Sequence, residues 1–229
     1  LSHATPEMYR IIADAVPPSL RLVTLDNNDD EERERKVADC EVIIVGATPL
    51  RKPVIDAAAR LELVHHQGVG WQDTIDHEVL RARGVPLALT PEGTTIGVAE
   101  HTVLLILAAL KLLPHADHEL REGRFHVNAL RPVSRELTGL TIGYVGMGRI
   151  AQAVVERLRG FHVRGLYFDP AVESFDGVER VSLEHVLREA DIVTLHVPLT
   201  AQTRHMIGRA QIAQMKEGAY LVNTARGGL

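Results

Sequence analysis

Leu140-Thr141-Ile142-Gly143-Tyr144-Val145 runs into Gly146-Met147-Gly148-Arg149-Ile150-Ala151, and this junction decides the fold. The first six residues are apolar and β-rich and read as a strand. Arg149 to Arg159 then carries a helical pattern. A glycine pattern alone is weak, but between a strand and a helix it has a mechanism. Gly146 permits the tight turn, Gly148 lets a pyrophosphate approach the backbone, and Ala151 allows close helix–strand packing. The helix N-terminus, at Arg149 and Ile150, offers N–H donors and the positive dipole end to phosphates. The next strand, Val163 to Phe168, ends in Asp169, about 20 residues on, where an acid accepts hydrogen bonds from an adenosine ribose. A carboxylate there repels a 2′-phosphate, and no arginine immediately follows, so NAD is favoured over NADP. The bland counterpart is a glycine-rich turn with a surface aspartate; glycines, context and acid together favour the dinucleotide.

The same alternation extends in both directions. Downstream, Leu183–Glu189 reads as a helix, Ile192–Leu195 as a strand, Arg209–Met215 as a helix and Ala219–Asn223 as a strand. Upstream, Leu20–Leu25, Glu41–Val45, Leu61–Val64 and Pro86–Leu89 read as strands. Helices are expected from Pro53 through Ala59 and from about Ile75 to Arg83, the second stopped by Gly84 as a left-handed cap. Asp29 to Lys36 is a charge run, expected as a solvated helix face. Apolar strands alternating with helices argue for parallel sheets covered on both faces. Thr90-Pro91-Glu92-Gly93-Thr94-Thr95 breaks the pattern and fits a domain boundary. A helix from about Gly97 to Leu113 follows; it is apolar almost all round, so burial on more than one side is expected.

Composition narrows the partners. The 229 residues are 45% hydrophobic and 24% charged, the profile of a globular protein of one large or two modest domains. The net charge of −5 gives no bulk positive field for a nucleic-acid backbone. The longest apolar run, Val103 to Leu110, is short for a membrane span, and Leu1-Ser2-His3 has neither a basic start nor an apolar signal stretch. Neither nucleic acid nor membrane is expected as a partner. The single cysteine, Cys40, excludes a disulfide framework and fits a reducing, cytoplasmic setting. No metal site is expected: adjacent His65 and His66 on a strand point to opposite faces.

Five blocks together resemble the D-isomer-specific 2-hydroxyacid dehydrogenases, from about Val42 to Leu229. They are Gly68-Val69-Gly70 with Ile75-Asp76; Val98-Ala99-Glu100-His101-Thr102; Gly146 to Ala151 with Asp169; His196-Val197-Pro198-Leu199-Thr200 with Thr203; and Met215-Lys216-Glu217-Gly218-Ala219 running into Asn223-Thr224-Ala225-Arg226-Gly227-Gly228. The resemblance implies an α/β fold with a flavodoxin-like substrate domain, expected over residues 1–92, and a Rossmann-type NAD-binding domain over 93–229. Both have parallel sheets, and the second is incomplete. It implies hydride transfer between NAD and a small 2-keto or 2-hydroxy acid. Arg226 matches the catalytic arginine, which binds the carboxylate and polarises the keto oxygen; a planar fork suits this better than lysine. Backbone N–H groups at Val69 and Gly70 would meet the substrate carboxylate or the nicotinamide edge, and His66 would line the pocket. Val197, Pro198, Thr203, Thr224 and Ala225 would lie along the cofactor. Thr102 would touch the pyrophosphate or bond to its own backbone. The family's histidine–glutamate proton donor lies after the arginine block and is expected beyond Leu229. Relatives acting on phosphoglycerate carry arginines near the positions of Val45 and His66, so a small acid such as glyoxylate, hydroxypyruvate or lactate is the expected substrate. Trp71 is expected either at the pocket mouth or packed under the loop. A homodimer is expected, and the rival reading is a cofactor-sensing, corepressor-like binding protein on the same scaffold.

Overall fold

The computed structural model describes residues 5–27, 29–46, 48–125 and 128–229. Leu1 to His3 lie outside them. The chain divides into two compact units, Leu1–Thr94 and Thr95–Leu229.

In the first unit, helices α1 (Pro6–Ala15) and α2 (Asp30–Val37) precede β1 (Val42–Val45), α3 (Lys52–Ala57), β2 (Leu63–His66), α4 (His77–Ala82) and β3 (Leu87–Leu89). The strands form a parallel sheet in the order β1-β2-β3, with Val64 opposite both Ile43 and Leu87. Its core gathers Val45, Leu50, Ile55, Val64 and Leu80, all essentially buried. Gly84 takes φ +69 after α4, the left-handed conformation expected of a helix-ending glycine.

Two expectations for this unit fail. Leu20–Leu25 is extended but joins no ladder among the described residues. Its carbonyls serve side chains instead: Lys36 Nζ donates to the Thr24 oxygen at 2.6 Å and the Tyr9 hydroxyl to the Leu25 oxygen at 3.0 Å. The charge run is a helix but not a solvated face, since Glu32 is only 5% exposed and Arg33 is also buried. Glu32 is drawn in because its carboxylate accepts the N–H groups of Asp26 and Asn27 at 2.8 and 2.9 Å and meets Lys36 Nζ at 2.8 Å. Helix α1 carries no buried residue; its start is readable in Thr5, which accepts the Met8 N–H, and in Pro6 at the first turn, a signal missed at the level of sequence.

The second unit follows from α5 (Glu92–Leu110), whose first turn precedes the boundary, and α6 (Leu113–Arg121). Then come β4 (Thr141–Val145), α7 (Arg149–Leu158), β5 (Arg164–Phe168), β6 (Val178–Arg180), α8 (Leu183–Glu189), β7 (Ile192–Leu195), α9 (Arg209–Ile212) and β8 (Tyr220–Asn223). The five parallel strands run β6-β5-β4-β7-β8, so the order reverses between β4 and β7. Ligands of open α/β sheets bind at the carboxyl ends of the strands beside such a reversal. One face of the sheet packs on α5 and α7 through Ala99, Ile106, Leu110, Val154 and Leu158; the other packs on α8 through Val186 and Leu187.

Helix α5 differs from its expected form. It stops at Leu110, Leu112 takes a left-handed conformation, and Pro114 opens a separate helix, as proline at a first turn does. Nor is it buried all round. Ala99, Thr102, Ile106 and Leu110 face the core, whereas Ile96 and Leu104 are 49% and 52% exposed. By length and composition alone α5 could cross a membrane, but its inner face is seated on the β4 side of the sheet.

Candidate active site

The glycine turn closes the carboxyl end of β4. Gly146 has φ +91, which side chains rarely adopt, and its N–H donates to the Phe168 oxygen at 2.8 Å. A Cβ there would lie 2.7 Å from the His196 oxygen and 2.8 Å from Val197 Cγ1, so the end of β7 presses directly on the turn. Gly148 is different. It caps α7 in an extended conformation, and a Cβ would meet nothing within 4 Å. Open space therefore stands before the N-terminus of a ten-residue helix, with Ala151 fully buried behind it. That is the cradle a pyrophosphate requires.

Asp169 is joined to the turn. Its Oδ2 accepts the Met147 N–H at 2.7 Å, and its Oδ1 accepts those of Ala171 and Val172 at 2.7 and 2.9 Å. Burial by itself would raise this carboxyl; the amides of Met147, Val172 and Ala171, with Arg180 nearby, outweigh it and hold the group below its ordinary value. Arg180 donates to the backbone oxygens of Asp169 and Pro170 at 3.0 and 3.4 Å. Sequence reasoning missed Arg180, because β6 brings it to Asp169 from eleven positions away.

Beyond β7 the chain folds on itself. Thr203 Oγ1 donates to the Pro198 oxygen at 2.6 Å, and Thr200 N donates to Thr203 Oγ1 at 2.8 Å. The structure thus brings Val197 to the glycine turn and ties Pro198 to Thr203. His196 turns its ring inward, with Nε2 3.0 Å from Thr194 Oγ1 and the ring stacked at 6.5 Å on Tyr144. Burial pushes His196 down to about 4.

Arg226 stands on the loop after β8. Asn223 builds that loop: its Oδ1 accepts the Ala225 N–H at 3.0 Å and its Nδ2 donates to the Arg226 oxygen at 2.8 Å. A cavity of about 430 Å³ lies between residues 223–227 and the α5 residues Gly97, Val98, His101 and Leu105. His101 is exposed here, not enclosed. Thr102 takes the second of its expected positions: it is 0% exposed, and its hydroxyl contacts the Val98 oxygen of its own helix at 2.8 Å and Thr224 Oγ1 at 2.9 Å, beneath the loop. Asn223 was missed as well, although an asparagine two residues before a turn amide is a readable signal.

In the first unit, Val69 is exposed at the tip of the turn that Gly68 begins, and the Gly68 oxygen accepts the Thr90 N–H at 3.2 Å. His66 is buried, with Nε2 3.3 Å from Thr74 Oγ1, and its ring lies under Gly68. It supports the turn rather than lining an open pocket. Trp71 takes the second of its expected positions, edge-on to His77 at 4.5 Å and packed against the core. Among the described residues no three His, Cys, Asp or Glu side chains gather as a metal site.

A reversing parallel sheet with this turn and strand-end acid defines a dinucleotide-binding domain. Residues 103–229 match the family described as D-isomer specific 2-hydroxyacid dehydrogenase, NAD binding domain, and the chain belongs to that family. It is 40% identical over 206 residues to a D-3-phosphoglycerate dehydrogenase of Methanocaldococcus jannaschii, covering 87% of this chain and 38% of the relative. It is 38% identical over 221 residues to a glyoxylate reductase of Korarchaeum cryptofilum, covering 93% of this chain and 63% of the relative. The chain therefore spans well under the full length of these relatives. A D-lactate dehydrogenase of Aquifex aeolicus, solved with NAD and lactic acid, superposes with a TM-score of 0.87 at 31% identity, over 98% of this chain and 68% of that one. The cofactor of the family, NAD, suits the open helix terminus at Gly148 and the oriented carboxylate of Asp169.

Proposed function

We propose that this chain belongs to an NAD-dependent dehydrogenase that interconverts small 2-keto acids and D-2-hydroxy acids. The observation carrying the proposal is Arg226, held by Asn223 on the rim of a cavity in the same unit as the glycine turn. NAD, when bound, supplies or accepts the hydride. Arg226 holds the substrate carboxylate through its planar fork and polarises the keto oxygen, where negative charge develops. Gly148 and the α7 N-terminus receive the pyrophosphate, Asp169 receives the ribose hydroxyls, and Val197, Pro198 and Thr203 flank the nucleotide. Val69 and Gly70 are assigned to the substrate carboxylate through their backbone. The proton donor is expected from a histidine–glutamate pair outside these residues. The arginines that phosphoglycerate-acting relatives carry near the positions of Val45 and His66 are absent here, which favours a small uncharged-tail acid such as glyoxylate, hydroxypyruvate or lactate over a phosphorylated one. The exposed side of α5, with Ile96 and Leu104, fits a homodimer, and the single cysteine fits a cytoplasmic setting.

The test is Arg226→Gln in the full-length protein. Turnover of glyoxylate, hydroxypyruvate and pyruvate should fall about 100- to 1,000-fold, as when an oxyanion donor is removed, with NADH binding within a few-fold of the parent. NADH binding by the unaltered protein without turnover of any keto acid would favour the cofactor-sensing alternative.

A further inference from the structure

We infer that Thr102 and Asn223 are positioning residues that hold the Arg226 loop in its working geometry; the inference rests on the role proposed for Arg226. Two independent anchors meet on the three residues Thr224, Ala225 and Arg226. The first is the Asn223 side chain, which accepts at Ala225 N and donates to the Arg226 oxygen, closing the loop at its start and its end. The second comes from α5. Each hydroxyl carries one proton, so both short contacts are satisfied when Thr102 donates to the Val98 oxygen and Thr224 donates to Thr102. Thr102 is fully buried, one helical turn from Val98, and Val98 lines the cavity beside Arg226. Thr102 therefore stitches the loop to the helix forming the opposite wall of that cavity. Neither residue needs to touch substrate: their effect is to fix the loop that carries the guanidinium. A shift of about 1 Å in such a group can cost on the order of 100-fold in rate.

The chemistry of each anchor sets the variants. Thr102→Val keeps the shape and removes the acceptor for Thr224, whereas Thr102→Ser restores it. Asn223→Asp keeps the acceptor for Ala225 but loses the donor and sets a carboxylate against the Arg226 carbonyl. Asn223 is exposed, so its variant reports on the loop even where a buried change at Thr102 impairs folding.

The experiment measures steady-state turnover of a keto-acid panel and NADH affinity in the full-length protein. Thr102→Val and Asn223→Asp should each lower kcat/KM for the keto acid about 10- to 100-fold, leave the NADH Kd within about twofold, and leave Thr102→Ser within about threefold of the parent. Adding Thr102→Val to Arg226→Gln should change turnover by no more than about twofold, since the loop then has no guanidinium to aim. The inference is overturned if Thr102→Val and Asn223→Asp keep the parent kcat/KM while Arg226→Gln loses it. It is equally overturned if NADH affinity falls in step with turnover. An Arg226→Gln protein that still turns over would instead remove the reading of Arg226 itself.

Discussion

Gly146 and Gly148 sit two positions apart, yet a methyl group would have opposite consequences at each. Gly146→Ala forces a side chain onto φ +91 and drives its Cβ into the His196 carbonyl. The expected cost is about 1–3 kcal/mol of stability, seen as a lowered denaturation midpoint. Gly148→Ala meets nothing in the protein, so the midpoint should hold within about 0.5 kcal/mol. It fills the space assigned to the pyrophosphate, so NAD affinity measured by titration should fall about tenfold or more. The left-handed backbone at Gly146 and the open space at Gly148 were readable from sequence because each glycine's geometry follows from its place in the turn. His196 was not readable, because its inward ring depends on Tyr144 and Thr194 across the sheet. Its value falls from 6.5 to about 4 on folding, so the unfolded chain takes the proton first. Stability is then complete above pH 6.5 and drains as pH falls toward 4, by an amount of order 3 kcal/mol. Urea midpoints at pH 7.5 and 4.5 should differ less in His196→Gln than in the parent.

Helix α2 shows what a pattern of charges conceals. Asp29 accepts the Glu32 N–H at 2.6 Å, a capping arrangement that the Asp-x-x-Glu spacing announces. The burial of Glu32 is not announced, since it depends on Asp26 and Asn27 folding back over the helix start. Lys36, then the Asp26 amide, hold Glu32 at about 2 against an ordinary 4.5. A depressed carboxyl contributes stability above pH 4.5 and loses it as pH falls toward 2. Glu32→Gln should therefore flatten the acid-induced loss of helical signal across that window, read by far-ultraviolet circular dichroism. Similar logic explains Leu20–Leu25, whose β-rich composition is real but whose carbonyls are engaged by Lys36 and Tyr9. The break between α5 and α6 was half visible: Pro114 marked it, but not that a second helix would start there.

The molecule is two units with separate cores, one around Val45, Ile55 and Val64, the other around the β4 sheet. Saturating NAD at about 100 times its Kd should raise the stability of the unit that carries the glycine turn by about 2.7 kcal/mol. Scanning calorimetry at that fixed NAD concentration should show the transition move up, and Gly148→Ala should cut the movement to about half or less. Alternation of strand and helix made both parallel sheets legible at this scale; the strand β6 escaped because Val178-Glu179-Arg180 is an edge strand with two exposed charged residues and no apolar run. In the role proposed for it, Asp169 would meet the nucleotide already aligned by three backbone amides. Capture at the adenosine end would then need no reorientation of this carboxylate. Preference among nucleotides would then be expressed in how long each one stays, not in how quickly it arrives.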